Sequence, residues 1–322
     1  MTPITENPNT QSAITAHGPL WQRLWIYQHE RFPLFKHGLL IASFSFCAVC
    51  LSALLRSAER WPSWQSALTA FVSLLFFFLQ LRIADEFKDA AIDAQYRPER
   101  PVPRGLITLS ELGWVAVTTA LLQIALALWL EPLLLLPLVA VWGYMALMRV
   151  EFGIPQWLHR HPFTYLWTHM LIVPLIDFYA TACDWLSNHH SALHNLAWFL
   201  AVSFFNGVVI ELGRKTWAPA QERTGVESYS GAWGIQRAVT MWLLALALAF
   251  LCALVVASAI NFFWPVFILL AASLIGLTAL GIHFVHSPTA KGATAIEMYS
   301  GLWVAGLYLI LGIVPLGVQQ WF

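Results

Sequence analysis

Residues 82–105, RIADEFKDAAIDAQYRPERPVPRG, carry the side chains of this chain best suited to chemistry. Asp85, Glu86, Asp89 and Asp93 stand at the end of a long apolar run, with Arg82 just ahead of them. At about 100° per residue these five positions share roughly a 100° arc of one helix. The four carboxylates then form an acidic stripe about 12 Å long, from the rise per residue of an α-helix. Charged groups at the centre of a membrane helix cost roughly 2.5–3.5 kcal/mol each, so a stripe kept beside an apolar segment implies a function. A row of hard oxygen donors suits Mg2+, which is typically held by one or two carboxylates together with the phosphates of a substrate. The pattern predicts a metal–diphosphate site.

The elements that must position this stripe are membrane helices. The chain has 322 residues, of which 59% are hydrophobic and 11% charged. A soluble domain carries about 25% charged residues, so the composition defines an all-α, polytopic membrane protein. Nine apolar stretches approach or reach the length needed to span, near 37–56, 64–84, 109–130, 132–148, 163–182, 193–212, 237–260, 262–284 and 299–319. The fourth is short and follows the third directly at Glu131-Pro132, which predicts a helical hairpin. Residues 1–20 are polar, lack the basic and apolar regions of a signal peptide, and are expected to be a disordered arm. Residues 21–36 interleave Trp21, Leu24, Trp25, Tyr27 and Phe32 with Arg23, His29 and Arg31, as in an amphipathic helix lying on a bilayer. A nine-helix transmembrane domain then occupies 37–322, with no room for a second soluble domain.

All 17 basic residues fall into a lopsided split. Fifteen lie in the amino-terminal arm and the even-to-odd connections, against two, Arg56 and Arg60, on the other side. The positive-inside rule places the N-terminus and the stripe in the cytoplasm and the C-terminus outside, in a plasma membrane such as the bacterial inner membrane. Net charge is zero and nothing in the sequence points to nucleic acid as a partner. Cys47, Cys50, Cys183 and Cys252 offer no disulfide framework and are expected as small buried side chains. His189, His190 and His194 cluster in an outer loop without metal-ligand spacing, so a solvated loop is expected there.

A second polar cluster lies four helices later, FFNGVVIELGRKTWAPAQERTGVESYSGAWG at 204–234, at the matching place of an apparent four-helix repeat. Glu211 and Lys215 are one turn apart on a shared face, flanked by Arg214. Gly207 leaves that face open to a neighbouring helix or a ligand. Pro219 should end the helix, so Glu222 and Arg223 come from the loop that follows. Asn206 falls on a different face from Glu211.

With both clusters in hand, the chain resembles the UbiA superfamily of intramembrane prenyltransferases. The first motif of that family has the form NDxxDxxxD, followed by a loop ending in RPxPxG. Asp85-Glu86-Phe87-Lys88-Asp89 through Asp93 fills it, with Asp for Asn and Glu for Asp at its first two positions, and Arg100-Pro101-Val102-Pro103-Arg104-Gly105 fills the loop. The spacing from Asp93 to Arg100 resembles the short-loop branch that includes chlorophyll synthases, not the longer loop of the 4-hydroxybenzoate enzymes. The second motif departs from its usual DxxxD form: Trp217 and Gln221 stand where aspartates are expected, and Gly225-Val226-Glu227-Ser228 keeps only the tail.

What the resemblance implies is a cytoplasm-facing cavity where Mg2+ and cationic side chains bind the head of an isoprenoid diphosphate above an apolar tunnel. Asp85, Glu86, Asp89 and Asp93 would ligand metal on one side, and Glu211 with Glu222 on the other. Arg82, Arg100, Arg149 and Lys215 would contact the diphosphate. Arg149 follows Tyr144 in a stretch similar to the family's Tyr…Lys-Arg segment, with a plain positive-inside anchor as its other reading. Lys88, about 120° off the stripe, is expected to be solvated or to face lipid. Asp177, within the fifth span, is either a hydrogen-bonded structural residue or one that orients the acceptor. Some of the many Trp and Phe residues suit a tunnel or cation–π stabilisation, while most should face lipid or the interface.

The activity implied is Mg2+-dependent transfer of a prenyl group to an acceptor of unspecified class, an aromatic one among the candidates, through an allylic carbocation. A terpene cyclase, with the cation trapped internally, is the alternative within the fold. An ion-coupled transporter would place carboxylates near mid-membrane within inverted repeats, whereas these cluster at one face.

Overall fold

A computed structural model describes residues 18–58, 60–190, 194–223 and 226–321. Among these residues all regular structure is helical, and nine helices are long and apolar enough to cross a membrane. They are His37–Leu55, Trp64–Lys88, Leu109–Leu130, Pro132–Arg149, Pro162–Trp185, Leu196–Arg214, Ile235–Ala259, Phe263–His286 and Ala290–Gln319, the first to ninth spans below. The arm expected at 1–20 lies, through residue 17, outside the described residues.

Two boundaries differ from the sequence expectation in ways that matter. The ninth span starts at Ala290 instead of 299, because the Thr289 hydroxyl accepts the Gly292 N–H at 3.1 Å and caps a helical turn too polar for a hydropathy pattern to include. The second span continues to Lys88 and bends at Asp89 (φ −91°, ψ 1°), beyond which a short helix, Ala90–Tyr96, resumes. The bend keeps the backbone bonds Asp89 N–H to Asp85 O and Asp93 N–H to Asp89 O, both 2.8 Å.

The spans form a closed bundle in which consecutive spans pack on one another and the ninth returns to the first. The fifth also packs on the first and second, and the sixth on the ninth, so these form the interior, while the third, fourth and eighth are the outer staves. The fifth span kinks at Leu171, where Pro174 lacks the N–H that would bond the Met170 carbonyl. Small residues set the closest approaches. A Cβ at Gly312 would stand 2.5 Å from the Cys47 carbonyl oxygen, and one at Gly207 would stand 2.9 Å from Val173 Cγ2. The open face at Gly207 is therefore filled by the fifth span.

Buried polar groups tie spans that periodicity alone could not pair. Gln80 donates to Thr119 (3.0 Å) and Gln123 (2.9 Å), and accepts from the Trp142 indole (3.3 Å), joining spans two, three and four. At the end of the bundle away from the stripe, Arg56 and Ser52 both donate to the fully buried Asp184. At the stripe's end, the amino-terminal helix Leu20–Arg31 is fastened by three ion pairs: Arg23–Glu111 (2.6 Å), Arg104–Glu30 (2.7 Å) and Arg31–Glu86 (2.6 Å).

Candidate functional site

The bend at Asp89 sorts the four carboxylates of the stripe into two pairs. Asp85 is exposed, with Arg82 the nearest cation at 3.6 Å. Asp89 is half-buried and its carboxylate takes part in no hydrogen bond or ion pair. Glu86 turns the other way: it is buried and receives the Arg31 guanidinium from the amino-terminal helix. Beside it Tyr27 is also buried, and burial followed by the Glu86 charge pushes its phenol well above the usual range. Asp93 is buried between Arg97 (3.1 Å) and Arg100 (2.5 Å). Arg100 thereby folds the RPVPRG loop back onto the stripe, and Gly105 turns the chain at φ +78°, where a side chain would be strained. Arg149 is exposed and lies over the Phe87 ring at 5.2 Å, on the same end of the bundle.

The second cluster faces the first. Arg214 lies within electrostatic reach of Asp85, and Asp85 is also felt by Tyr165 at the start of the fifth span. Both oxygens of Glu211 are occupied, Oε2 by Arg214 (2.6 Å) and Oε1 by Lys215 (2.9 Å). The Lys215 ammonium also sits 5.8 Å over the ring of Tyr229. Tyr229 is buried, and that burial, then the Glu211 charge, raises its phenol far above the ordinary value. Glu222 comes from the loop, as Pro219 predicts, and accepts the Ser228 hydroxyl (2.7 Å) and the Ser230 hydroxyl (2.8 Å). A cavity of about 310 Å3 opens here, lined by Leu158, Tyr165, Lys215, Glu222, Ser228 and Tyr229 among others.

Trp217 and Gln221, at the positions where aspartates were expected, have local structural roles. The Trp217 indole donates to the Arg214 carbonyl at 2.9 Å, and the Gln221 amide oxygen accepts the Ala218 N–H at 3.1 Å. Both close the end of the sixth span instead of reaching into the cavity.

A third set of functional-looking residues escaped the sequence. Lys88 is neither solvated nor facing lipid. It pairs with Glu151 and donates to the Tyr165 hydroxyl at 2.7 Å. Glu151 in turn faces His169, 3.4 Å from its Nε2. His169 stacks on Tyr165 at 3.9 Å between ring centroids. Glu151 (φ 51°), Phe152 (φ 54°) and Gly153 (φ 75°) are three consecutive left-handed residues, two of them carrying side chains. Such backbone costs of order 1 kcal/mol or more per residue and persists only when its surroundings over-determine it. Here the ion pair with Lys88 does so, as do the rings of Tyr144 and His169 around Phe152. The helical wheel misplaced Lys88 because its partner lies in a turn that has no periodicity to read. Glu151→Ala is expected to cost about 1–3 kcal/mol by leaving a half-buried ammonium unpaired. A lowered melting temperature in detergent, partly restored in Glu151→Gln, checks this; an unchanged melting temperature would refute it.

Four other expectations from the sequence have clear outcomes. Asp177 is buried and accepts hydrogen bonds from Ser203 (2.5 Å) and Tyr308, linking spans five, six and nine. His189, His190 and His194 are exposed, and no group of three metal-capable side chains forms among the described residues. All four cysteines are free and buried. Asn206, one turn and a half below Glu211, is buried with neither polar atom hydrogen-bonded.

Asp85 and Asp89 fit a hard divalent metal, since both offer uncommitted oxygens and Mg2+ needs only one or two carboxylates besides phosphate. The same test gives a different answer for Glu211, whose two oxygens are already neutralised by cations.

Among the described residues, a bundle of nine helices long and apolar enough to cross a membrane, with charged clusters gathered at one end, defines a polytopic membrane protein. The sequence profile of the UbiA prenyltransferase family matches residues 45–303, and the chain belongs to that family. Its fold is similar to a UbiA homologue from Aeropyrum pernix K1 in its apo form (TM-score 0.65, 13% identity, covering 85% of this chain and 98% of that one). It is also similar to a digeranylgeranylglyceryl phosphate synthase (TM-score 0.61, 15% identity, 92% and 99%). A third similar structure is a UbiA homologue from Archaeoglobus fulgidus bound to DMAPP and Mg2+ (TM-score 0.53, 14% identity, 85% and 98%). No curated protein matches the chain by sequence.

Proposed function

We propose that this chain is a Mg2+-dependent prenyltransferase acting on an isoprenoid diphosphate at the cytoplasmic end of the bundle. The observation that carries this is the pair Asp85 and Asp89: the Asp89 carboxylate has no hydrogen-bond or ion-pair partner, Asp85 has only the Arg82 contact at 3.6 Å, and the charge of Arg214 reaches Asp85. Family membership and the resemblance to a homologue bound to DMAPP and Mg2+ support it. Asp85 and Asp89 would hold the metal, which would supply screening of the diphosphate charge and so a better leaving group.

The chain's own residues bind and orient. Arg82, beside Asp85, and Lys215, on the cavity wall, are placed to contact diphosphate oxygens. Arg100 acts through Asp93 to hold the loop, and Arg149 guards the Phe87 edge of the mouth. In the reaction the allylic C1–O bond breaks, its electron pair leaves with diphosphate, the acceptor forms the new bond to C1, and the acceptor loses a proton. The amino-terminal helix lies along the membrane surface with Trp21 and Trp25, both exposed, towards lipid.

The test is incubation of purified protein with Mg2+ and geranyl, farnesyl or geranylgeranyl diphosphate, with and without quinonoid and phenolic acceptors. Metal-dependent consumption with a prenylated acceptor is the expected result. A cyclic hydrocarbon formed without acceptor would replace the transferase by a cyclase. If no diphosphate is consumed under any condition, both enzymes are excluded.

A further inference from the structure

We propose that the diphosphate is held between one metal-carrying face, Asp85 and Asp89, and one purely cationic face, Arg214 and Lys215, so that one divalent metal accompanies it in place of the two implied by a pair of acidic motifs. The proposal rests on the prenyl-diphosphate function above and concerns how that head group is neutralised.

Four observations converge on it. Glu211, the one carboxylate of the sixth span at the mouth, has each oxygen taken by a different cation, at 2.6 and 2.9 Å. A metal there would have to displace both and would still stand beside two positive charges. Glu222 gives its oxygens to the Ser228 and Ser230 hydroxyls. Trp217 and Gln221 spend their polar groups on the backbone at the end of the helix, so no second carboxylate joins Glu211. Finally, the Arg214 side chain is 52% exposed and within electrostatic reach of Asp85, where a guanidinium can meet an anion bound to the first motif.

Charge supports the same division. Glu211, Arg214 and Lys215 together carry one positive charge, whereas Asp85 and Asp89 carry two negative ones that a single divalent cation balances. Guanidinium forms two parallel bonds to phosphate oxygens and an ammonium adds a third point contact, so the cationic face meets the diphosphate directly where a second metal would otherwise bridge to it. Glu211 then serves to position the two cations rather than to ligand metal. Arg214 was not singled out as a diphosphate contact by its sequence, because a positive side chain next to Lys215 reads as ordinary loop charge.

The experiment counts metal directly. Purified protein is titrated with Mn2+ in the presence of a non-cleavable thiolo-diphosphate analogue of a prenyl diphosphate, and free Mn2+ is followed by electron paramagnetic resonance while analogue binding is followed by calorimetry. One Mn2+ per bound analogue is expected in the unmodified protein and in Glu211→Gln. Arg214→Ala is expected to weaken analogue binding about ten- to a hundredfold, the worth of a charge-assisted contact, without changing the metal count, and Arg214→Lys to recover part of it. Two Mn2+ per analogue, or unaltered analogue affinity in an Arg214→Ala/Lys215→Ala protein that elutes as the folded species, overturns the division while leaving the prenyl-diphosphate function standing. Failure of the unmodified protein to bind any analogue at any Mn2+ concentration overturns that function and the division with it.

Discussion

Asp89→Ala is expected to lower diphosphate turnover by roughly 10²–10³-fold or more, the loss typical when one charge-stabilising group is removed from a reacting centre. The protein should nevertheless fold and insert as before. Asp89 is half-buried at a bend, and its carboxylate contacts neither a donor nor a cation, so removing it breaks nothing else. Asp93→Ala should lower activity less, through the loop it anchors, and should also cost stability. Asp93 is buried and holds Arg97 and Arg100, and without it two guanidinium groups lose their counter-charge and the RPVPRG loop loses its anchor. Initial rates with geranylgeranyl diphosphate, paired with limited proteolysis of the 97–105 segment, separate the two. Normal rates in Asp89→Ala would remove the metal role assigned to the first motif. A loop equally protected in Asp93→Ala would show that the two arginines do not anchor it.

Asp184→Ala is expected to cost about 3–5 kcal/mol, the penalty for removing one partner of a buried ion pair and stranding the other. Asp184 is fully buried and receives Arg56 through Nε (2.9 Å) and Nη2 (3.1 Å), besides the Ser52 hydroxyl (2.8 Å). Its carboxylate thus joins the first span to the fifth at the end of the bundle remote from the stripe. Replacing both partners by apolar groups, as in Arg56→Met/Asp184→Leu, should return much of the lost stability, because neither charge is then left unpaired. Denaturation in mixed detergent micelles reads both effects. If the single and double variants unfold at the same denaturant concentration, the pair is not what joins these spans.

Much of the architecture was legible because lipid leaves a chain few choices. Backbone groups inside a bilayer must be satisfied within a helix, so a run of apolar residues of sufficient length declares its own structure. The observed spans fall close to the nine expected ones, apart from the polar start of the ninth. Boundaries failed where a cap or a bend decides: Thr289 begins a helix in a segment of little hydropathy, and Asp89 bends one in a segment whose spacing is perfectly helical. The candidate site was legible to the same depth. Asp85, Asp89, Glu211, Lys215 and Glu222 are all at one end of the bundle, as their positions at span termini required.

The sequence by itself determined that this is a helical membrane protein with two charged clusters at span ends, and its motifs are those of its family. Only the tertiary structure decided which charges are available. Glu86 and Asp93 sit in the same stripe as Asp85 and Asp89, yet the first is claimed by Arg31 and the second by Arg97 and Arg100. Lys88, off the stripe, is claimed by Glu151, and Glu211 by its own neighbours Arg214 and Lys215. The reason is physical. A periodic pattern specifies the direction in which a side chain leaves its own helix, but the free energy of a charge near a bilayer depends on the opposite charges that packing brings to it. Those partners come from other spans and from turns without periodicity, so the chemistry left open at the mouth is a property of the folded bundle.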